Sequence, residues 1–301
     1  MDTIVYSFII PHKNSLQLLK RCLSSIPIRA DIEVIVIDDN STLENRPQKE
    51  RIDETVVLLN ENESKGAGHA RNIGIQLARG KWILFADCDD YYAPDFIKYL
   101  DLYKNKEYDI IYFGAYINYD IEKRTWKKKF PYYQFIYEYL KNPNNRFNTN
   151  NIKYGINAPW NKMFSKKYIH SISAQFEEIP KGNDIYFVHY CGFHTNNITV
   201  INENLYYYIK NKDSITWSKM NKNKLIKSLS QIDKSMEFVR KSGAWNLYAP
   251  FHLSMYHYLK TYGIIFWIKY YSTKFFFNTP AYIIWYHKFI IKIKILFKND
   301  I

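Results

Sequence analysis

Three carboxylates, Asp87, Asp89 and Asp90, follow directly on the apolar run Trp82-Ile83-Leu84-Phe85-Ala86. Packing alone gives no reason for a buried strand to end in clustered acids. Like charges that close repel, and burying them is costly without a positive partner. A hard divalent cation is the natural partner, because it takes carboxylate oxygens and often shares its coordination sphere with substrate phosphates. The spacing points to a metal–diphosphate site at the C-terminal end of a strand, with Mn2+ or Mg2+ as the expected cofactor. The competing reading is a solvated turn ahead of a helix starting near Pro94. A second acidic pair, Asp38-Asp39, ends the run Glu33-Val34-Ile35-Val36-Ile37 in the same way. An Asx turn is the alternative there, but two strands that both end in acids favour a shared site.

The elements that must position these acids are short strands alternating with helices. Residues 4–10 are β-branched and aromatic and are expected to form a strand stopped by Pro11. Residues 15–25 carry apolar residues at a helical period. Strands are expected at 33–37, 55–59, 82–86 and 109–117. A helix over 67–79 ends at Gly80. This alternation predicts an α/β domain with a mostly parallel sheet, in which ligands bind beyond the carboxyl ends of the strands. Pro11, Asp38, Asp39, Asp87 and Asp89 all fall at such ends and would converge on one crevice. Residues 122–160 are polar, rich in Asn and Tyr, and show no clear period. Beyond them a helix near 183–193 and a strand near 198–201 are expected, and helical segments rich in aromatics and Lys follow from about residue 216.

The 301-residue chain is 47% hydrophobic, enough for one large domain or two small ones, and carries a formal net charge of +13. That charge suggests a polyanionic partner. It is uneven: residues 238–301 hold nine Lys or Arg against the single acid Asp300. A basic, aromatic tail suits an anionic membrane surface, with a helical cap whose Lys stems snorkel outward as the alternative. Because the basic residues gather in the tail rather than around the carboxylates, a nucleic-acid partner is not expected. Three widely spaced cysteines argue against a disulfide framework or a zinc site. No signal peptide and no transmembrane run of about 18 apolar residues is visible, so a cytoplasmic location is expected, peripheral on the inner face of the cell membrane.

Six segments in order carry a likeness: Ser7 to Asn14, Val34 to Ser41, Gly66 to Gly74, Ala86 to Asp90, Pro159 to Lys162, and Asn183 to Phe187. Together they resemble family-2 glycosyltransferases of the GT-A fold, of the kind found in bacterial capsule and lipopolysaccharide synthesis. The resemblance covers roughly residues 5–215. It implies a GT-A catalytic domain over 1–215, with a nucleotide-sugar half (1–90) and an acceptor half (91–215), followed by a helical, basic-aromatic region over 216–301. It also implies residue roles. Pro11 and the loop after it would line the base pocket, Asp39 would hydrogen-bond the base, and Arg71 would sit near the nucleotide. Asp87 and Asp89 look like the D-x-D motif, facing ribose and metal. Asp184 matches the general base, with Asn183 where many relatives carry Glu. Trp160, Asn161 and Lys162 would shape the acceptor side. The implied reaction is inverting transfer of a sugar, most simply from a UDP-sugar, to a growing surface glycan; a tail lying on the membrane would suit a lipid-linked acceptor. A catalytically inactive scaffold in a polysaccharide assembly complex is the rival. A dinucleotide reading of Gly66 and Gly68 fails because Arg71 stands where the third glycine belongs. His12 and His69 read as loop and helix-surface histidines.

Overall fold

In the computed structural model of this chain, the described residues are 4–48, 56–119, 132–179, 182–209, 222–244 and 247. They belong to one unit, Met1–Leu247; the unit that follows, Tyr248–Ile301, contains the basic-aromatic tail and lies outside the described residues.

The chain begins with β1 (Tyr6–His12), α1 (Leu16–Ser24), β2 (Ile32–Asp38), β3 (Val56–Asn60), α2 (Ala67–Leu77) and β4 (Trp82–Phe85). Strands β1, β2 and β4 are buried at every residue, as expected of parallel strands covered on both faces. β1 pairs in parallel with β2 on one side and with β4 on the other, and β3 extends the parallel set beyond β2. The C-terminal ends of β1, β2 and β4 therefore open on one side. One expectation needs correcting here: β1 does not stop at Pro11 but runs through it to His12. Ile9 accepts a hydrogen bond from the Ala86 N–H. Pro11, two residues on, faces the same side, where pairing with β4 has already ended at Phe85. Its missing N–H costs the sheet nothing at that position.

The second half adds β5 (Tyr91–Tyr92), α3 (Phe96–Asp101), β6 (Ile110–Tyr119), α4 (Tyr132–Lys141), α5 (Arg146–Gly155), β7 (Lys162–Ser165), α6 (Lys166–Ser171), α7 (Asn183–Phe193), β8 (Ile198–Ile209) and α8 (Lys222–Lys241). β7 runs antiparallel between β4 and β6, β8 is parallel to β6, and β5 pairs with β8. The sheet order is β3-β2-β1-β4-β7-β6-β8-β5. The polar, Asn-rich stretch without a clear period contains two helices, α4 and α5, and the strand expected near 198–201 continues to Ile209. Gly114 meets Asn204 at a register break, where the pairing of β6 with β8 shifts.

Each face of the sheet has its own core. On one face Phe8, Tyr92, Phe96 and Tyr206 pack ring against ring, with Tyr92 and Phe96 stacked at 4.4 Å. On the other, Phe85, Phe164, Phe176 and Phe187 interlock, and Phe176 stacks on Phe187 at 3.9 Å. The second cluster sets the position of α7 against β4 and β7. Helix α8 joins the same unit by packing Phe238 against Tyr186, Tyr190 and Phe193 of α7. Cys22 and Cys191 are buried and Cys88 is half-buried against the first core; all three are free thiols. Among the described residues no helix is long and apolar enough to cross a membrane.

Phe187 is fully buried at the centre of the second cluster. Phe187→Ala is expected to cost about 3–5 kcal/mol in a denaturant titration, through lost burial and the cavity left behind. A loss below about 1 kcal/mol would show that this cluster does not anchor α7.

Candidate active site

The crevice is built at the ends of β1, β2 and β4, and its two acidic pairs behave differently. Asp38 is fully buried and serves the fold. It accepts from His12 Nδ1 at 2.8 Å and from the N–H and hydroxyl of Ser41. His12 Nε2 in turn accepts the Ser15 N–H at 3.2 Å, so the ring proton sits on Nδ1 and is donated to Asp38. The sequence reading of His12 as a loop histidine is thereby corrected: it is buried at 1% exposure and ties β1 to β2 at the head of α1.

Asp39 faces the neighbouring loop. Its Oδ1 accepts the N–H groups of Lys65 and Gly66 at 2.7 and 2.9 Å. Its Oδ2 accepts the Ser64 hydroxyl at 2.7 Å and lies 3.3 Å from Lys13 Nζ. Burial alone would lift this carboxyl, but the hydrogen bonds from Ser64, Gly66 and Lys65, with the Lys13 charge, hold it below its ordinary value. Asp39 thus fixes the entry to α2. Gly66 makes that entry with a positive φ of 90°, and Gly68 lies where a Cβ would come 2.3 Å from the Glu177 carbonyl oxygen. The two glycines are explained by a turn and a close approach.

α2 carries Arg71 into the interior. The guanidinium is 6% exposed, donates to Asp87 Oδ1 at 2.6 Å and to Asn183 Oδ1 at 2.9 Å, and lies over the Phe176 ring at 5.3 Å. A single cation thus links the end of β4 to the start of α7. Asn183, noted in the sequence as standing in place of Glu, is the neutral acceptor in that link. Asp184 follows it in the first turn of α7, whose N-cap is Gly182 rather than either of these residues. Desolvation holds the Asp184 carboxyl above its ordinary value; the Arg71 charge works against that and Asp87 reinforces it.

Asp87 is about a third exposed at its side chain and Asp89 is half-buried. Asp90 turns inward at 1% exposure, accepts the Ile209 N–H at 2.7 Å, and is pushed well up by burial and by the charges of Asp89 and Asp87. Arg21 of α1 donates to the Asp89 carbonyl. The acids do not cap the following helix, which begins at Phe96 behind Asp95. Among the described residues no three His, Cys, Asp or Glu side chains converge into a metal cage. A cation that shares its shell with diphosphate oxygens needs only one or two protein carboxylates. Two partly exposed aspartates at one strand end, with hard oxygen donors, fit that requirement.

The trio expected on the acceptor side is buried. Trp160 is 6% exposed and stacks with Tyr206, Tyr208 and Tyr132 at 4.9, 5.6 and 6.5 Å. Asn161 and Lys162 have no exposure. Asn161 Nδ2 donates to the Phe113 carbonyl, and Lys162 Nζ donates to the carbonyls of Ile156 and Ala158 and to Asn161 Oδ1. Burial pushes the Lys162 amine well down, with Asp184 opposing. These two side chains hold the loop that carries Trp160 and reach any acceptor only through it. Three residues beside the carboxylates were not singled out in the sequence. Tyr208 is pushed up to about 12 by burial and then by Asp90, Asp87, Asp89 and Asp184. Tyr132 is pushed up to about 12 by burial and then by Asp184. The Tyr206 hydroxyl accepts the Asp87 N–H at 3.0 Å. The available signal was the run Leu205-Tyr206-Tyr207-Tyr208-Ile209, whose alternate tyrosines share one face of a strand.

The two neighbouring aspartates should separate in their effects. Asp38→Ala leaves three buried donors without their acceptor and is expected to cost about 3–5 kcal/mol by chemical denaturation. Asp39→Ala should cost less but make residues 64–66 a site of proteolytic nicking. Equal losses with no change in cleavage would sink the division of labour.

Comparison with known proteins bears on the family and the fold. The family model described as Glycosyl transferase family 2 matches residues 7–173. Glycosyltransferase GlyA of Streptococcus pneumoniae serotype 4 is 25% identical over 236 residues, 74% of this chain and 33% of that protein. UDP-Glc:alpha-D-GlcNAc-diphosphoundecaprenol beta-1,3-glucosyltransferase WfaP of Escherichia coli is 35% identical over 94 residues, 31% of this chain and 36% of that one. The chain thus spans about a third of the length of these curated relatives. Residues 1–349 of TarS from S. aureus, solved with UDP-GlcNAc, superpose with a TM-score of 0.63 at 17% identity, covering 91% of this chain and 77% of that one. The fold is of the GT-A type, and with the family model matching more than half of its length the chain belongs to glycosyl transferase family 2.

Proposed function

We propose that this chain is an inverting, divalent-metal-dependent glycosyltransferase that moves a sugar from a UDP-sugar to a growing, lipid-linked surface glycan. The observation that carries the reading is the buried Arg71, which ties Asp87 at the end of β4 to Asn183 at the start of α7. It supports a reading in which the donor-side acids share one crevice with the Asp184 carboxyl, which burial holds above its ordinary value. WfaP, a UDP-glucose transferase acting on a diphosphoundecaprenol-linked sugar, and TarS, solved with UDP-GlcNAc, support the donor and acceptor classes.

In this reading the acceptor hydroxyl oxygen bonds to the anomeric carbon as the bond from that carbon to the nucleoside diphosphate breaks. Asp184 takes the hydroxyl proton, and a single displacement inverts the anomeric centre. A Mn2+ or Mg2+ ion held by Asp89 and Asp87 would neutralise charge developing on the leaving diphosphate. Asp39 holds loop 64–66, and Pro11, buried in β1 opposite Ile37 of β2, would line the base pocket. Arg71 orients Asp87 and keeps the base ionisable against desolvation. The stack of Trp160 with Tyr132 and Tyr208 forms the acceptor wall, on the loop held by Asn161 and Lys162. The basic tail beyond the described residues supplies contact with the inner face of the cell membrane.

The test is manganese-dependent binding of UDP by calorimetry together with transfer assays. Asp89→Ala is expected to abolish the metal dependence of UDP binding. Asp184→Asn should retain UDP affinity while transfer falls by about 10²–10⁴-fold. Because folding raises the Asp184 pKa, the folded state disfavours its ionised form, so Asp184→Asn should unfold at the same or a higher temperature at neutral pH. The rate should rise with pH through a value above the ordinary carboxylate range. Removing the Arg71 charge should move that limb higher, because Arg71 lowers the Asp184 pKa. Normal turnover by Asp184→Asn would refute its role as base.

A further inference from the structure

A second polar cavity, of about 470 Å³, lies at the opposite end of the sheet from the carboxylates. Its lining includes Asn196 and Ile198 at the N-terminal start of β8. β8 is parallel to β6, and both run in the direction of β4, because β7 is antiparallel to β4 and to β6. The acids sit where β4 ends, and this cavity sits where β8 begins.

The chemistry of the lining is one-sided. Arg146, Asn150 and Lys153 project from α5 at i, i+4 and i+7, one face of a helix. Among the described residues, no Asp or Glu lines the cavity. Lys153 is 4% exposed, and its ammonium donates to the neutral Asn196 Oδ1 at 2.7 Å. Burial alone moves its pKa, down to about 8, and no carboxylate opposes that shift. This differs from Lys162, whose ammonium has three oxygen partners and the charge of Asp184. A buried cation without an anionic partner is costly. Hydrogen bonds among the lining residues fix one wall of the cavity. Ser242, just beyond α8, accepts from Arg146 Nη2 at 2.9 Å and Asn150 Nδ2 at 3.2 Å, and its hydroxyl lies 2.5 Å from that of Tyr154. Its volume falls in the range of small-ligand sites, and Tyr139, Tyr154 and Phe193 give it apolar walls beside the polar groups.

We propose that this cavity binds a small phosphate-bearing ligand, with Lys153 and Arg146 pairing its phosphoryl oxygens and Asn150 and Asn196 completing the hydrogen bonds. The shared chemistry is a phosphoryl group, either free or esterified to a small polyol or sugar. The site is separate from the crevice and does not depend on the transferase reading.

The experiment is calorimetric titration of the full chain with inorganic phosphate and with glycerol phosphate, in chelator so that no metal-dependent binding at the crevice contributes. Saturable binding of either probe is expected. Inorganic phosphate binding as well as glycerol phosphate assigns a site for the free anion, and tighter binding of the ester assigns a phosphoester site. Lys153→Met and Arg146→Ala should each weaken binding at least about tenfold, a loss of about 1.4 kcal/mol, while Asp87→Ala leaves it within about twofold. Arg146 is exposed on the first turn of α5, so its variant carries the test if Lys153→Met fails to fold. No saturable binding of either probe, or unchanged affinity in Arg146→Ala, overturns the proposal.

Discussion

A buried guanidinium needs acceptors, and the arrangement of this crevice follows from the two that the terminal nitrogens of Arg71 find. The side chain leaves α2, passes over Phe176, and ends between Asp87 and Asn183. Three elements distant in sequence are thereby held together: α2, the end of β4 and the start of α7. Removing one partner of such a buried set leaves an uncompensated charge, which costs more than the set contributes when complete. The same cation offsets desolvation at Asp184 and counterbalances one of three clustered acids. Positioning and electrostatics are in this case the same interaction.

Around that link the structure separates acids that serve the fold from acids left to the crevice. Asp38 and Asp90 are spent inward, on the His12–Ser41 network and on the Ile209 backbone. Asp39 is spent on a loop. Asp87 and Asp89 remain partly exposed. Burial decides which is which: Asp38 and Asp39 each give both oxygens to donors of the chain itself, and Asp90 lies inside at 1% exposure. The aromatic residues follow the same logic. Trp160 fills the interior of a stack, and its outer members, Tyr132 and Tyr208, come under the influence of the carboxylates.

Much of the first half was legible because its strands are continuous apolar runs and its helices keep a 3.6-residue period. Elements β1 to β4 and α1 and α2 lie within a few residues of where pattern places them. Pro11 was misjudged as a strand end because pairing on one side of β1 stops before it, a fact of the neighbouring strand and not of Pro11. Helices α4 and α5 were hidden because they hold Asn, Tyr and Lys where a simple pattern expects Leu or Ile. Asn150, Asn151 and Lys153 are buried there nonetheless. His12 and Lys162 were equally unreadable, since a buried polar side chain is recognised by its partners, and those partners lie across the sheet or in a loop's carbonyls.

The sequence by itself determined the α/β alternation, the strand-end position of Asp38, Asp39, Asp87, Asp89 and Asp90, and the ordered motifs that mark the family. Those properties are local: hydrophobic period, turn residues and spacing act within a few residues of each other. Only the tertiary structure decided which acids face the crevice, that Asn183 completes the Arg71 link, that Asn161 and Lys162 act through the loop that carries Trp160, and that Lys153 lines a cavity without a counter-charge. Each of these depends on which groups are shielded from water and what lies within hydrogen-bond reach, and both are set by contacts between residues far apart in the chain.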